Sequence, residues 1–499
     1  MCGIFAVIHP TGNAGDAEKA FREGKPRGPD HTRFVSDLPV WLGFHRLAIN
    51  GLDEASSQPL SRDGVHLVCN GEIYNHAKLR ETHDLDCQTH SDCEVIVHLY
   101  LKYGIHATVQ LIDTSEVAFV LYDSRSDTTY VVRDALGVRS LYCAKHGETI
   151  VVASEMKMCD VYPNMEYVPL SPGTIYTFRT NEWKSDRYYT LPLAGGDVSL
   201  YETMYRAVMK RVRNTDRPMA CLLSGGLDSS IVTALVVKCR AELGITEQLE
   251  TYCIGIEGGE DLQYAQYAAE HLNTKHTNIV LTEDQFFEAI PRVVRAIESY
   301  DTTSVRASVG NFLVAEYIKT HSEARVLFNG DGSDELCGGY LYMKHAPNAD
   351  VFDLECRRLL TDIHLFDALR SDKCISGNGL EPRTPFLDPT VVQAYLSLPP
   401  EVRFNAIEKF PLRKAFEHML PSVICWRKKE AFSDGVSSVG RSWYKVIQSR
   451  LPPSTETTLT PEQLYYKSIY DTYYTSILPY YWMPRFVAAR DCSARELPE

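Results

Sequence analysis

One stretch constrains the fold more than any other: Cys221-Leu222-Leu223-Ser224-Gly225-Gly226-Leu227-Asp228-Ser229-Ser230. The residues before it, Pro218 to Leu223, are short and apolar enough for a buried strand, and Ile231 to Lys238 is a continuous apolar run that reads as a buried helix. The glycine pair therefore sits in a strand-to-helix turn. Glycines there let the backbone approach an anion closely, and the free N–H groups of the first helical turn point at it. Ser224, Ser229 and Ser230 add hydroxyl donors. Asp228 places a carboxylate beside the expected phosphate, which calls for a cation between them. The stretch lacks the Lys-Ser/Thr ending of a Walker A loop and is not a dinucleotide fingerprint. An ordinary glycine-rich turn is the alternative.

Length and charge bound the rest. At 499 residues the chain is long for one domain, and ~100–200 residues per domain suggests two to four. A formal charge of −14 argues against a general nucleic-acid or anionic-membrane surface, so any nucleotide must be met by local basic residues. No apolar run approaches the ~20 residues of a membrane span. The first eight residues lack the basic segment of a signal peptide and are followed by Pro10 and Gly12. Fourteen cysteines are scattered without metal-ligand spacing, and most lie in apolar contexts, as reduced core residues do. A cytoplasmic protein is expected, with no nucleic-acid or membrane partner.

Cys2 follows Met1 directly. A small residue at position 2 permits removal of Met1, which leaves Cys2 with a free α-amine. That amine, with a reference pKa of ~7.7–8.0, can serve as base to its own thiol. Further on come Arg27-Gly28-Pro29-Asp30, Gly43 to Ile49 with Arg46 on a strand, and Cys69-Asn70-Gly71-Glu72 after the apolar strand Val65 to Val68. Ser91-Asp92-Cys93-Glu94 opens a helix, with Ser91 or Asp92 expected as its N-cap. Taken singly, Arg46 reads equally as a surface strand residue and Asn70-Gly71 as a hairpin turn.

Together these motifs resemble the glutamine amidotransferases of the N-terminal-nucleophile type, over roughly residues 2 to 189. The resemblance implies a layered α+β sandwich of antiparallel sheets. It implies that Cys2 attacks the glutamine amide, giving a thioester and free ammonia, with Asn70 and the Gly71 N–H as oxyanion hole. It also implies a glutamine site of Arg46, Leu47, Ala48, Ile49, Asn50, Asn70, Gly71, Glu72 and Asp92, in which Arg46 meets the α-carboxylate and Asp92 the ammonium. Two departures concern packing: Thr114-Ser115-Glu116-Val117 stands where the family has Gly-x-Phe, and Ser140 where it has Pro.

Leu191 to Asp197, with Pro192 and paired glycines, reads as a linker, and Val198 to Arg213 as an amphipathic helix. After the Gly225 loop come two more strand–loop units. Leu249 to Ile256 leads into a helix from Glu260 through Leu272, and Arg325 to Phe328 leads into Asn329-Gly330-Asp331-Gly332-Ser333-Asp334-Glu335. Strands alternating with helices indicate a parallel sheet with crossovers. Three carboxylates in five residues repel one another unless a cation or proton is shared; a solvated acidic loop is the plainer alternative.

The Gly225 loop resembles the pyrophosphate-binding loop of the ATP pyrophosphatases, and the segment from about Tyr201 to Trp443 resembles their synthetase relatives. Both halves together resemble the glutamine-dependent asparagine synthetases. The implied boundaries are 2–190 for the glutaminase, 191–199 for a linker, 200–447 for an α/β parallel-sheet synthetase domain with extra helices, and 448–499 for an extension of unknown role. The resemblance implies ATP held by Leu223, Ser224, Gly225, Gly226, Asp228, Ser229, Ser230, Ile254, Asn329 and Gly330. It implies aspartate held by Thr303 and Arg306, Mg2+ by Asp228 and Asp334, an acid/base group at Asp331, and a charge-stabilising lysine at Lys429. The small-molecule partners are then glutamine, aspartate and ATP, joined through a β-aspartyl-AMP intermediate, with an apolar route shielding ammonia; a homodimer stays open. Asn329 and Asp331 depart from the family's Ser and Glu, and the shorter Asp331 keeps a sister enzyme forming another amide or a lactam in view. A non-catalytic amidotransferase-like binding protein is the third reading, and the intact Cys2, Arg46, Asp92, Asp228 and Asp334 argue against it.

Overall fold

The computed structural model describes residues 1–162, 165–179, 182–193, 195, 198–428, 435–438, 440–453, 459–474 and 484–486. The chain divides into two compact units: Met1–Thr190 with Arg213–Arg217 and Ser376–Glu381, and Leu191–Val212 with Pro218–Ile375 and Pro382–Glu499.

Unit 1 holds two six-stranded sheets. The first runs β10(Glu166–Pro169)-β8(Tyr142–His146)-β9(Thr149–Ala153)-β1(Gly3–Ile8)-β3(Trp41–Arg46)-β2(His31–Val35). The second runs β12(Glu182–Arg187)-β11(Thr174–Arg179)-β7(Thr128–Arg133)-β6(Val117–Asp123)-β5(Val65–Gly71)-β4(Leu60–Arg62). Neighbours such as β1 and β3, or β5 and β6, pair antiparallel. Side chains alternate faces along a strand, so one strand can serve two cores. In β6, Ala118, Val120 and Tyr122 join Ile4, Ala6, Ile8, Leu42 and Phe44 of the first sheet in one apolar cluster. Val117, Phe119 and Leu121 point the other way, into a second cluster with Val95, Ile96 and Leu99 of helix Glu94–Tyr103. The result is the layered sandwich of antiparallel sheets that the sequence predicts.

Both departures from the family pattern are satisfied inside this unit. Glu116 is fully buried, pairs with Arg139 at 2.7 Å and accepts from the Tyr74 hydroxyl at 2.9 Å. Ser140 Oγ donates to the Ser154 carbonyl at 2.8 Å.

Unit 2 is built on the sheet β15(Lys275–Leu281)-β14(Glu250–Ile256)-β13(Met219–Leu222)-β16(Val326–Phe328)-β17(Glu381–Arg383), and β13 to β16 run parallel. The chain moves outward from β13 to β15, then returns to the other side of β13 for β16. The strand order thus reverses between β13 and β16, and a crevice opens at the carboxyl ends of strands at such a switch point. The loops that leave β13 and β16 there are the Gly225 loop and the acidic loop. Helix Leu200–Arg213 is anchored by Lys210 and Arg211, which meet buried Asp388 at 2.5 and 2.7 Å. Helix Pro461–Tyr470, in the stretch the sequence leaves as an extension, packs on helices Glu283–Ile297 and Thr302–His321.

Candidate active sites

In unit 1, Cys2 precedes β1, and its thiol is directed at the Leu47 carbonyl, 3.6 Å away. Its own carbonyl accepts from Arg27 Nε at 3.0 Å, and fully buried Arg27 pairs with Glu155 at 3.1 Å. Gly28 is required there, because a Cβ would stand 2.2 Å from the His45 carbonyl oxygen. Met1 is buried, and its amine donates to the Leu380 carbonyl at 3.4 Å. Burial pushes the Cys2 thiol up to about 11, partly offset by the Met1 amine, and pushes that amine down to about 6. With Met1 attached, the thiol is therefore held protonated.

The other residues predicted for this site also lie in unit 1. Asn70, at the end of β5, is fully buried with neither amide atom hydrogen-bonded, and its cross-strand partner Ala118 lies in the cluster that Cys2 packs against. Gly71 has φ +141°, and a Cβ would stand 2.1 Å from the Glu116 carbonyl oxygen, so only glycine fits. Glu72 accepts from the side-chain amides of Asn50 and Asn214, the latter at 2.7 Å. Asp92 accepts from the Ile73 N–H at 2.6 Å, and burial raises its pKa. Arg46 is buried and already donates to the Asp53 carbonyl at 2.7 Å and to that of Gly51. The Ala48 N–H donates to Asp30 at 2.8 Å. The N-cap expectation fails: the helix starts at Glu94 after Cys93, with no side-chain cap, because Asp92 turns its carboxylate to Ile73 instead.

In unit 2, one cavity is lined by Leu223, Ser224, Gly226, Asp228, Ser229, Ile254, Thr303, Asn329, Gly330, Asp331 and Asp334, among others. Ser224 and Ser229 hydroxyls lie 3.1 Å apart, and Gly226 caps helix Leu227–Glu242. Gly225 and Ser230 are not among the lining. Gly225, at φ +70°, turns the backbone where a Cβ would meet the Tyr264 carbonyl carbon at 2.2 Å, and Ser230 is buried inside the helix.

The acidic loop carries two separate charge arrangements. Asp228 and Asp334 both meet Lys409 Nζ at 2.6 Å, and the Ser333 hydroxyl donates to Asp228 at 2.8 Å. Burial pulls the Lys409 pKa down, but the two carboxylates more than reverse this and hold it above its usual value. Asp331 Oδ1 meets Arg370 at 3.0 Å, while its Oδ2 is buried and unpartnered. Arg370 is shared with Asp367, 2.5 Å away, whose pKa is raised by burial. Asn329 bridges inward, its amide donating to Ser371 at 2.8 Å and its carbonyl accepting the Asp331 N–H at 3.3 Å.

The structure does not bring Arg306 to this cavity. Its guanidinium is buried in a two-point pair with Glu462, at 2.7 and 2.5 Å, and stacks on Tyr444. The arginine that does line the cavity beside Asp331 is Arg370, and Arg427 and Lys428 line it too. Lys429 lies outside the described residues. Lys409 and Arg370 carry no local sequence signal as site residues, because each reaches the cavity from a helix or loop far along the chain, whereas Arg427 and Lys428 belong to the basic run Arg427-Lys428-Lys429 that stands out in an acidic chain.

Two family profiles match the chain: Glutamine amidotransferase domain over residues 1–188, and Asparagine synthase over residues 199–354 and 344–476. The proteins named "Asparagine synthetase [glutamine-hydrolyzing]" from Gallus gallus and Homo sapiens are each 35% identical to it, with alignments covering 100% of this chain and 98% of theirs. The protein of the same name from Mesocricetus auratus is 34% identical over the same shares. This chain belongs to the glutamine-hydrolysing asparagine synthetases.

Proposed function

We propose that the family reaction is divided between the two residue sets described above, one in each unit. Residues 2–190 supply the glutaminase, 191–199 the linker and 200–447 the synthetase, with helix Pro461–Tyr470 packed on the last. In the first set, Cys2 attacks the glutamine amide carbon after Met1 is removed, and its α-amine takes the thiol proton. The C–N bond breaks, ammonia leaves, and water hydrolyses the thioester to glutamate. The developing oxyanion falls to Asn70 and the Gly71 N–H, and losing one such donor costs ~2.7–4 kcal/mol of barrier. The unbonded, buried Asn70 amide supports this reading, since a native structure rarely leaves both amide atoms idle. Asp92 meets the ammonium, whose positive charge reverses the effect of burial on that carboxyl. Arg46, fixed by two carbonyls, meets the carboxylate with its remaining donors, and Leu47 to Asn50 and Glu72 complete the pocket.

In the second set, the loop from Leu223 to Ser230 and Ile254, Asn329 and Gly330 bind ATP. The β-carboxylate of aspartate attacks the α-phosphorus, pyrophosphate leaves, and ammonia then displaces AMP to give asparagine. Asp228 and Asp334 suit Mg2+, because two hard oxygen donors converge on one cation position, the one where Lys409 Nζ sits. When bound, Mg2+ supplies neutralisation of the pyrophosphate charge. Lys429 is assigned the same charge-stabilising task on the intermediate. Thr303 contributes a hydroxyl to the aspartate site. Arg306 serves it by fixing helix Thr302–His321 to Glu462, and Arg370 takes the carboxylate in its place. A cytoplasmic location accords with the free thiols found among the described residues.

The observation that carries the synthetase assignment is Asp331 Oδ2, buried without a partner in the cavity the Gly225 loop lines. The test is product identification from purified protein with labelled glutamine, ATP and a panel of carboxylic acids, repeated with Asp331→Asn. Asparagine from aspartate is expected with the wild type. The variant should lose synthesis while it still hydrolyses glutamine. Near wild-type synthesis by Asp331→Asn would refute the acid/base assignment, and an amide formed on a different acid would favour the sister-enzyme reading.

A further inference from the structure

A cluster away from both sites has the chemistry of a metal centre. Among the described residues, Cys87 Sγ, a Glu94 carboxylate oxygen and a His98 ring nitrogen all lie within 4.8 Å of one another. Glu94 and His98 stand one turn apart on helix Glu94–Tyr103, with Glu94 Oε1 and His98 Nε2 already 3.4 Å apart. Ligands around a tetrahedral zinc ion, bound at ~2.0–2.3 Å, sit about 3.3–3.8 Å from each other. This pair is therefore at coordinating separation, and Cys87 Sγ lies within 4.8 Å of both.

We propose that Cys87, Glu94 and His98 form a three-ligand site for a zinc-class divalent cation, joining the loop before Ser91 to helix Glu94–Tyr103. Three features favour it. The Glu94 carboxylate is pre-oriented by the N–H groups of Gln88 and Thr89 and by the Thr89 hydroxyl, each at 2.7 Å, the hydrogen-bonded support that ligating carboxylates need. His98 Nε2 lies 3.3 Å from Arg62 Nη1, which can only donate, so that ring nitrogen is unprotonated and its lone pair is taken up by Arg62. Arg62 has other partners at hand, the Asp86 carbonyl at 2.9 Å and the Asp63 and Asp86 carboxylates at 3.7 and 3.8 Å, and can release His98 to a metal.

The donor set of one sulfur, one nitrogen and one oxygen selects zinc or cobalt over magnesium or calcium. It leaves a fourth position for water. Burial raises the Cys87 pKa to about 11, so the ion must displace one proton: the S–H bond breaks, a metal–sulfur bond forms, and the proton goes to solvent. The bound site is then neutral, with +2 on the ion against the thiolate and the carboxylate. None of the three residues belongs to the glutamine site.

The test uses the full chain and Co2+ as spectroscopic probe. The wild type should bind Co2+ with a thiolate-to-cobalt charge-transfer band that Zn2+ abolishes by displacement. Cys87→Ser should lose the band although every other cysteine is intact. His98→Gln should weaken Co2+ binding at least tenfold. Circular dichroism and retained glutaminase activity will certify that each variant is folded. No band in the wild type, an equal band in Cys87→Ser, or unchanged affinity in folded His98→Gln would each overturn the site.

Discussion

The Asn70 amide and Asp331 Oδ2 are buried and unbonded in the free protein, a state that costs about 1–3 kcal/mol for each such group. Each falls in a different half of the proposed chemistry, where a bound substrate would supply the missing partner. His45 shows the opposite case, a buried titratable group whose partners are complete. It stacks on Phe21 with ring centroids 3.8 Å apart, donates from Nε2 to the Phe21 carbonyl at 2.9 Å, and accepts from Thr32 at 2.9 Å. Burial pushes its pKa down to about 4, against the Phe21 hydrogen bond, which raises it. Below pH ~6.5 the unfolded chain binds a proton that the folded chain refuses until about pH 4, so stability falls as pH falls across that window. The loss amounts to about 3 kcal/mol at 1.36 kcal/mol per pKa unit. Denaturant midpoints measured from pH 7 down to 4.5 should fall less steeply for His45→Gln than for the wild type. Identical slopes would remove His45 as the cause.

At the scale of elements, the turn between β13 and helix Leu227–Glu242 is a tightly constrained piece of backbone in unit 2. Gly225 needs positive φ, and its missing Cβ admits the backbone of Tyr264 and Ala265, the latter nitrogen 2.4 Å from where a Cβ would stand. A methyl there must push the helix Glu260–Leu272 away from the loop. We expect Gly225→Ala to lose ATP-dependent synthesis by at least a hundredfold and to lower the melting temperature, with glutamine hydrolysis retained; ATP titration by calorimetry checks it, and wild-type affinity would refute the close-approach argument. Arg306 teaches the complementary lesson. Its position in Thr302-Thr303-Ser304-Val305-Arg306 suggests a substrate-binding cation, yet helix Thr302–His321 turns it to Glu462 on helix Pro461–Tyr470. A helical side chain's direction depends on what packs against that face, and the partner here is 156 residues away.

For the molecule as a whole, the two residue sets belong to separately clustered units, so the chemistries should separate by mutation. Cys2→Ala should abolish glutamine-dependent synthesis and leave ammonia-dependent synthesis near the wild-type rate, and parallel loss of both in folded protein would contradict this division. Intact-mass analysis of active enzyme should find Cys2 as the first residue, because with Met1 attached the Cys2 nitrogen is an amide and cannot act as base. Much of this was legible in the sequence. Short apolar runs, the glycine turns and the crowded carboxylates report short-range physics: which segment is buried, where φ must be positive, which charges need a cation. These place β5, β13, β14 and β16 and the loops after β13 and β16. Only the tertiary structure decided which distant side chains complete each site. Asn214 reaches Glu72, Leu380 the Met1 amine, and Lys409 and Arg370 the acidic loop, from segments that are far away in the chain. A buried charge is balanced by whichever opposite charge packing brings within ~4 Å, and that choice leaves no local pattern in the sequence around either partner.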